Sequence, residues 1–276
     1  MFVAESGSPI LVGLSNPDSV RPLVGIGAAV ALHREAPLYL GTVLPKPKQG
    51  EPTAAVETPE GRRAEVLIHR GVQFAKDLGV ENVTGGTERA RRAARGIVRV
   101  VNKYRPALLV LGYSDTGDPF AKSGRHFDRL MDEVDKEVRC ALAIVSLRGD
   151  FPFKRLLVPV AGPVNVELIA DIVPALKRAG EAFVTFMQMA PPEADQAAAR
   201  ELLRALLAEH NLAEAGELVV RATENVQRAL VRESAKYDLT VVGAPRQHLF
   251  ARIFGDVAER VARESDKSVM IIRGQG

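Results

Sequence analysis

Two segments, SPILVGLSNPDSVRPLVGIGAAVAL from Ser8 and KRLLVPVAGPVNVELIADIVPALKRAG from Lys154, follow one pattern. Each runs from a short apolar strand through a proline-bearing turn into an amphipathic helix. A second pair matches YRPALLVLGYS with KYDLTVVGAPR, two aliphatic strands that end at Gly112 and Gly243. A third matches FDRLMDEVDKEVRCALAIVSL with FGDVAERVARESDKSVMIIRG, each a helix leading into a final strand. The chain is therefore read as two tandem copies, residues 8–149 and 150–276, joined at Arg148–Phe153. The first copy is longer, and its excess sits in the proline-rich stretch Pro45–Gly61, read as a surface loop.

Strands and helices alternate within each copy. Strands are expected near Ile10–Gly13, Leu38–Leu44, Glu81–Thr84, Leu108–Leu111 and Ala141–Leu147, then Leu156–Val160, Phe183–Gln188, Glu217–Arg221, Leu239–Val242 and Val269–Arg273. Helices are expected at Ser19–Leu32, Glu60–Leu78, Glu88–Tyr104 and Asp128–Glu137, then Val164–Ala179, Ala194–His210, Asn225–Ala235 and Val257–Glu264. Such alternation specifies an α/β fold with a parallel sheet covered on both faces. Five strands per copy predict flavodoxin-like domains of strand order 3-2-1-4-5, with a ligand crevice between strands one and four. The final strands, CALAIVSL and SVMIIR, are apolar and fall at sheet edges, which are normally covered. The two copies are expected to cover each other there as a pseudo-dimer, and whole chains to pair as a homodimer.

Composition narrows the class. The 276 residues are 46% hydrophobic and 26% charged, with a net charge of +3. That is a soluble balance without the global basicity of a nucleic-acid binder. The single cysteine, Cys140, excludes an internal disulfide and suits a reducing cytosol. No apolar run approaches the roughly 20 residues of a membrane helix, and the N-terminus lacks the pattern of a signal peptide. The expectation is a cytoplasmic chain without membrane insertion, free-standing or tethered to the inner face of a membrane.

The stretch VVGAPRQHLFARIFGDVAERV carries the main candidate site. A loop that opens on Gly243 and closes on Gly255 at a helix start is a phosphate-cradle pattern. Yet the residue after Gly255 is Asp256. With Glu259 three residues on, Asp256 forms a helix cap worth about 1 kcal/mol, and an ionised carboxylate can only accept hydrogen bonds. It sets a negative charge where a phosphate would sit. Arg246 beside the crevice is an anion candidate or a partner for that aspartate.

The strand–helix units, most of all DLTVVGAPR…LFARIFGDVAERVARESDKSVMIIR, resemble the universal stress protein superfamily in tandem form. Shorter strings, ILVGLSNPDSVRPLVGIGAAVAL and RPALLVLGYSD…LAIVSLRGD, are similar to the cytosolic C-terminal domains of amino-acid permeases and cation–chloride cotransporters. ATP-binding members of the superfamily carry a glycine, two residues, a second glycine, nine residues, then glycine with serine or threonine. Here Gly243 and Gly255 match, the loop is one residue short, and Arg246 and Asp256 stand at the second glycine and the hydroxyl. The family's aspartate after strand one is missing from VAGPVN. Asn16 or Asp18 of LSNPDS could stand in for it in the first copy, whose later loop runs from Gly112 to Asp128 and Arg129. The resemblance thus implies a vestigial nucleotide or anion site at Val160, Gly243, Arg246, Gly255 and Asp256, with ATP bound weakly or not at all.

Other residues read as ordinary structure. ERARRAARGIVRVVNKY is the most basic helix, with a buried stripe of Ala90, Ala94, Ile97, Val98 and Val101. Its face of Arg92, Arg95, Arg99 and Lys103 is solvated, or else meets anionic headgroups or an acidic partner. GTERARR is read as a turn and helix start. The five histidines show no metal-ligand spacing, and Cys140 is read as a buried small hydrophobe. Ser114 and Ser123 sit in no nucleophile elbow. No catalytic residue, metal or required cofactor is assigned.

The expected function is that of a non-catalytic cytosolic regulatory or assembly domain, the tail of an amino-acid or cation–chloride transporter whose membrane domain is its partner. The alternative is a free-standing tandem protein that binds ATP or AMP. A nucleotide hydrolase is weaker still, because no general base, metal cluster or phosphate-binding lysine is assembled.

Overall fold

A computed structural model describes residues 7–46, 58–113, 133, 134, 136–163, 165–244 and 257–275. The chain divides into two compact units, Val3–Leu142 and Ala143–Gln275. The division falls inside a strand, Ala141–Ser146, rather than in the connecting segment that follows it.

The first unit is built on β1 (Ile10–Gly13), β2 (Leu38–Pro45), β3 (Val83–Ala90) and β4 (Leu108–Tyr113), with β5 (Ala141–Ser146) carrying the division. The order is β3-β2-β1-β4-β5. β1 is parallel to both β2 and β4, and β2 is parallel to β3. Parallel neighbours need crossovers, supplied by α1 (Val20–Arg34), α2 (Pro59–Asp77) and α3 (Ala93–Tyr104). α1 is buried along most of its length because its sequence is apolar nearly all round. It lies so close to the sheet that a Cβ on Gly27 would strike Val12.

The second unit repeats the plan. Its strands are β6 (Arg155–Pro159), β7 (Phe183–Ala190), β8 (Glu217–Ala222), β9 (Leu239–Gly243) and β10 (Ser268–Arg273), in the order β10-β9-β6-β7-β8. Every described pairing is parallel. The helices are α4 (Val166–Gly180), α5 (Gln196–Ala208), α6 (Val226–Ser234) and α7 (Val257–Glu264). Asp195 caps α5 by accepting from the Ala197 and Ala198 amides, and Asn225 caps α6 through the Arg228 amide. Asp238 fixes the start of β6, its carboxylate accepting from the Lys154 and Arg155 amides at 2.8 and 2.9 Å. Glu233, almost buried on α6, is neutralised by Lys236 at 2.9 Å and Arg221 at 3.5 Å.

Two local expectations are corrected. β3 is not a four-residue strand followed by a turn and a helix from Glu88. It runs eight residues to Ala90, and α3 starts at Ala93. VTGGTERA has little strand propensity, but β2 presents a ladder of equal length, and pairing along it outweighs the local preference. The glycines serve this packing. A Cβ on Gly85 would meet the Leu40 carbonyl at 2.9 Å, and one on Gly86 would meet the Tyr39 hydroxyl at 2.6 Å. The expected loop Pro45–Gly61 is shorter at both ends. Pro45 closes β2, and α2 opens at Pro59 behind a Thr58 side chain that accepts from the Gly61 amide. Residues 47–57 lie outside the described residues, as does most of the helix expected at Asp128–Glu137.

Candidate functional site

In the second unit the strand order reverses between β6 and β9, so their carboxyl ends flank the crevice where α/β sheets take ligands. Val160 follows β6 on one side. It is buried, and its amide donates to the Met187 carbonyl at 2.9 Å. Gly243 ends β9 on the other side and is half-buried. The next residue, Ala244, is buried with its amide on the Ile272 carbonyl at 2.8 Å. Arg246, Gly255 and Asp256 lie outside the described residues. α7 begins at Val257, where the sequence places it.

Sequence reasoning missed the residue that ties these ends together. Asn165 stands at the start of α4 with φ 65°, a left-handed conformation that asparagine tolerates better than most side chains. It makes no side-chain cap. Its Nδ2 instead donates to the Ala244 carbonyl, and its Oδ1 accepts from the Gly274 amide at 2.9 Å. One side chain thus bridges the loop after β6 to the ends of β9 and β10. Arg273, buried at the end of β10, brings a permanent positive charge to the same strand ends, and its Nη1 donates to the Gly274 carbonyl at 3.3 Å. The available signal was asparagine before an apolar helical run, but that signal reads as an ordinary cap.

The first unit uses its turn differently. Asn16 Oδ1 accepts from the Asp18 amide at 3.0 Å, and the Ser19 hydroxyl donates to the Asn16 carbonyl at 2.9 Å. Asn16 therefore caps the short 3-10 turn Pro17–Ser19, and Asp18 is exposed. Gly112 packs under α1, where a Cβ would meet Leu23 at 2.8 Å. Asp128, Arg129, Ser114 and Ser123 lie outside the described residues.

The cations of α3 are exposed, and three of them have acidic partners. Arg92 pairs with Glu133, Arg95 with Glu137 at 3.9 Å, and Arg99 with Glu88 at 3.0 Å. Lys103 lies over the Tyr104 ring at 4.9 Å. On the other side of α3, Ala94, Val98 and Val101 are buried and Ile97 half-buried; Gly96 and Val100 are buried as well. Tyr104 also stacks on Tyr39, with ring centroids 4.1 Å apart. Burial, then the hydrogen bond to Tyr104, pushes the Tyr39 phenol well above its ordinary value; that same bond lowers Tyr104. Cys140 is buried. Among the described residues, no three His, Cys, Asp or Glu side chains gather as a metal site, and no helix is long and apolar enough to cross a membrane.

The Asn165 bridge makes a prediction. Asn165→Ala removes both hydrogen bonds and leaves a methyl side chain at positive φ. It is expected to cost about 2 kcal/mol, with Asn165→Gly costing less because glycine relieves the backbone. Urea unfolding of the two variants measures this. Native stability in Asn165→Ala would show that the bridge adds nothing.

Two tandem α/β domains, each with its crevice at the reversal of strand order, define the class of protein. The universal stress protein family model matches residues 8–139 and 152–273, and the chain belongs to that family. Solved structures extend the likeness to nearly the whole chain. The cytoplasmic domain of a prokaryotic cation chloride cotransporter is 12% identical with a TM-score of 0.67, covering 97% of this chain and 96% of that one. A universal stress protein from Archaeoglobus fulgidus is 15% identical, with a TM-score of 0.61 and coverage of 98% and 97%. A putative universal stress protein from Pseudomonas aeruginosa is 13% identical, with a TM-score of 0.63 and coverage of 97% and 94%. Curated proteins give no match.

Proposed function

We propose that this tandem universal stress protein is a non-catalytic regulatory or assembly domain on the cytoplasmic side of a membrane, the tail of a cation–chloride or amino-acid transporter. The observation that carries the reading is the end-to-end likeness to a cotransporter's cytoplasmic domain, which spans both domains of this chain and nearly all of that one. The Asn165 bridge supports it, because the Ala244 carbonyl and the Gly274 amide at the second crevice are already engaged. In this reading the crevice is a vestigial anion site, ATP is not required, the two domains pack as a pseudo-dimer, and the chain works as a homodimer.

The alternative is a free-standing tandem protein that binds ATP or AMP, supported by the full-length likeness to stand-alone universal stress proteins. An antibody raised against this chain separates the two on fractionated native cells. A membrane-bound band much larger than 29.8 kDa is the expected result. A soluble band of that mass, with calorimetry showing micromolar ATP binding, would replace the proposal with the alternative.

A further inference from the structure

We propose that Tyr39 and Tyr104 form an oxidative modification site, at which two equivalents of a one-electron oxidant join the rings carbon to carbon as an intramolecular dityrosine that fastens α3 to β2. This modification is separate from the transporter-tail reading, and neither needs the other.

Composition and burial direct one-electron oxidation toward tyrosine. The chain has no tryptophan, one cysteine and four tyrosines. Cys140 is buried, and cysteine oxidation follows exposure and thiolate character. Tyr39 and Tyr104 are both half-buried, so the pair is open to an oxidant in solution.

The local sequence builds the pair. Tyr39 stands near the start of β2, opposite Thr84 of β3. A Cβ on Gly41 would meet the Tyr39 ring at 3.5 Å, and one on Gly86 would meet the Tyr39 hydroxyl at 2.6 Å. The ring therefore lies along the sheet over two glycines rather than standing away from it. Tyr104, the last residue of α3, stacks on it with ring centroids 4.1 Å apart and planes at 32°. The Tyr39 hydroxyl donates to that of Tyr104. A hydrogen bond between hydroxyls holds the oxygens within about 3.0 Å, closer than the ring centres, so the planes converge at their hydroxyl ends. The carbons ortho to each hydroxyl lie there, and these are the carbons at which phenoxyl radicals couple.

The surroundings favour oxidation of Tyr104 first. Its hydrogen bond from Tyr39, and after it Lys103, lower the phenol against the opposing effect of burial. The Lys103 ammonium lies 4.9 Å from the ring centre. A phenolate yields an electron more readily than a phenol, and Tyr39, bonded to Tyr104, is the adjacent second donor. Each tyrosine loses one electron to the oxidant and its hydroxyl proton to solvent, leaving two phenoxyl radicals. One C–C bond forms between their ortho carbons. The hydrogen on each of those carbons leaves as a proton and each oxygen takes one up, so both phenols are restored. The net loss is two electrons and two protons. Tyr104 ends its helix, so its ring can turn from stacked to edge-joined without unwinding a turn beyond it.

Photogenerated tris(bipyridine)ruthenium(III), a one-electron oxidant, tests the site on the dilute full chain. The expected product is a monomer lighter by two hydrogen atoms, with dityrosine fluorescence and a peptide map that joins the segments carrying Tyr39 and Tyr104. Its urea midpoint rises, because the new bond bridges residues remote in sequence. Tyr39→Phe and Tyr104→Phe each abolish the linked monomer, whereas Tyr113→Phe and Tyr237→Phe retain it. Circular dichroism confirms that all four variants are folded. Oxidation of the native chain without a Tyr39–Tyr104 peptide overturns the proposal, as does a linked monomer that persists in Tyr39→Phe or Tyr104→Phe.

Discussion

Gly180→Ala is expected to destabilise the second domain by about 3 kcal/mol, at the upper end for overpacking, although it adds one methyl group and favours helix. Gly180 is the last residue of α4 and is buried. A Cβ there would come closer than 3.0 Å to the Phe153 carbonyl oxygen, a distance real Cβ atoms essentially never show. The obstacle is backbone, so no rotamer change relieves it. Either the end of α4 or the segment entering β6 must shift. The left-handed residue that closes this helix is Glu181, with φ 49°. The glycine is thus required for close approach rather than for its dihedral freedom. Glu181→Gly is the contrasting variant, expected to be neutral or slightly stabilising because it relieves a positive φ at an exposed position. Urea unfolding of both compares the two causes. A neutral Gly180→Ala would mean that the approach of α4 to Phe153 is looser than described.

Phe186→Ala is expected to cost about 3–5 kcal/mol, through lost burial and the cavity left behind. Phe186 lies in the middle of β7 with no exposed surface, between Val158 of β6 and Leu218 of β8. Phe186→Leu keeps most of the volume and is expected to cost about 1 kcal/mol. The exposed Phe183, three residues earlier on the same strand, is the control. It is 82% accessible, and Phe183→Ala should change stability by less than about 0.5 kcal/mol. Two phenylalanines on one strand thus differ several-fold in effect through burial alone. Equal losses for both would show that Phe183 is covered in the folded protein.

A regulatory or assembly domain acts through what it binds, and the described crevice has part of its polar inventory engaged by Asn165. Two assignments made from sequence, a phosphate-like loop opening on Gly243 and a turn at Gly86, follow from local residue type; β3 runs through Gly86, and the loop after Ala244 lies outside the described residues. Glycine after a strand looks like a ligand loop wherever it occurs, and glycine before a basic helix looks like a turn.

Amino-acid order by itself determined the tandem repeat, the ten strands, the alternation of strand and helix, and the family. These are carried by hydrophobic period and chain order, which are local quantities summed over many residues. It placed β1 (Ile10–Gly13) and α7 (Val257–Glu264) at their observed bounds, because apolar runs and flanking glycines mark both. Only the tertiary structure decided the length of β3, the bridging role of Asn165 and the reason for Gly180. Each depends on a partner far along the chain: β2 for VTGGTERA, the ends of β9 and β10 for the Asn165 amide, and the Phe153 carbonyl for Gly180. A hydrogen-bond ladder or a close backbone approach contributes nothing until both halves are in place, so no window of sequence around one half can register it.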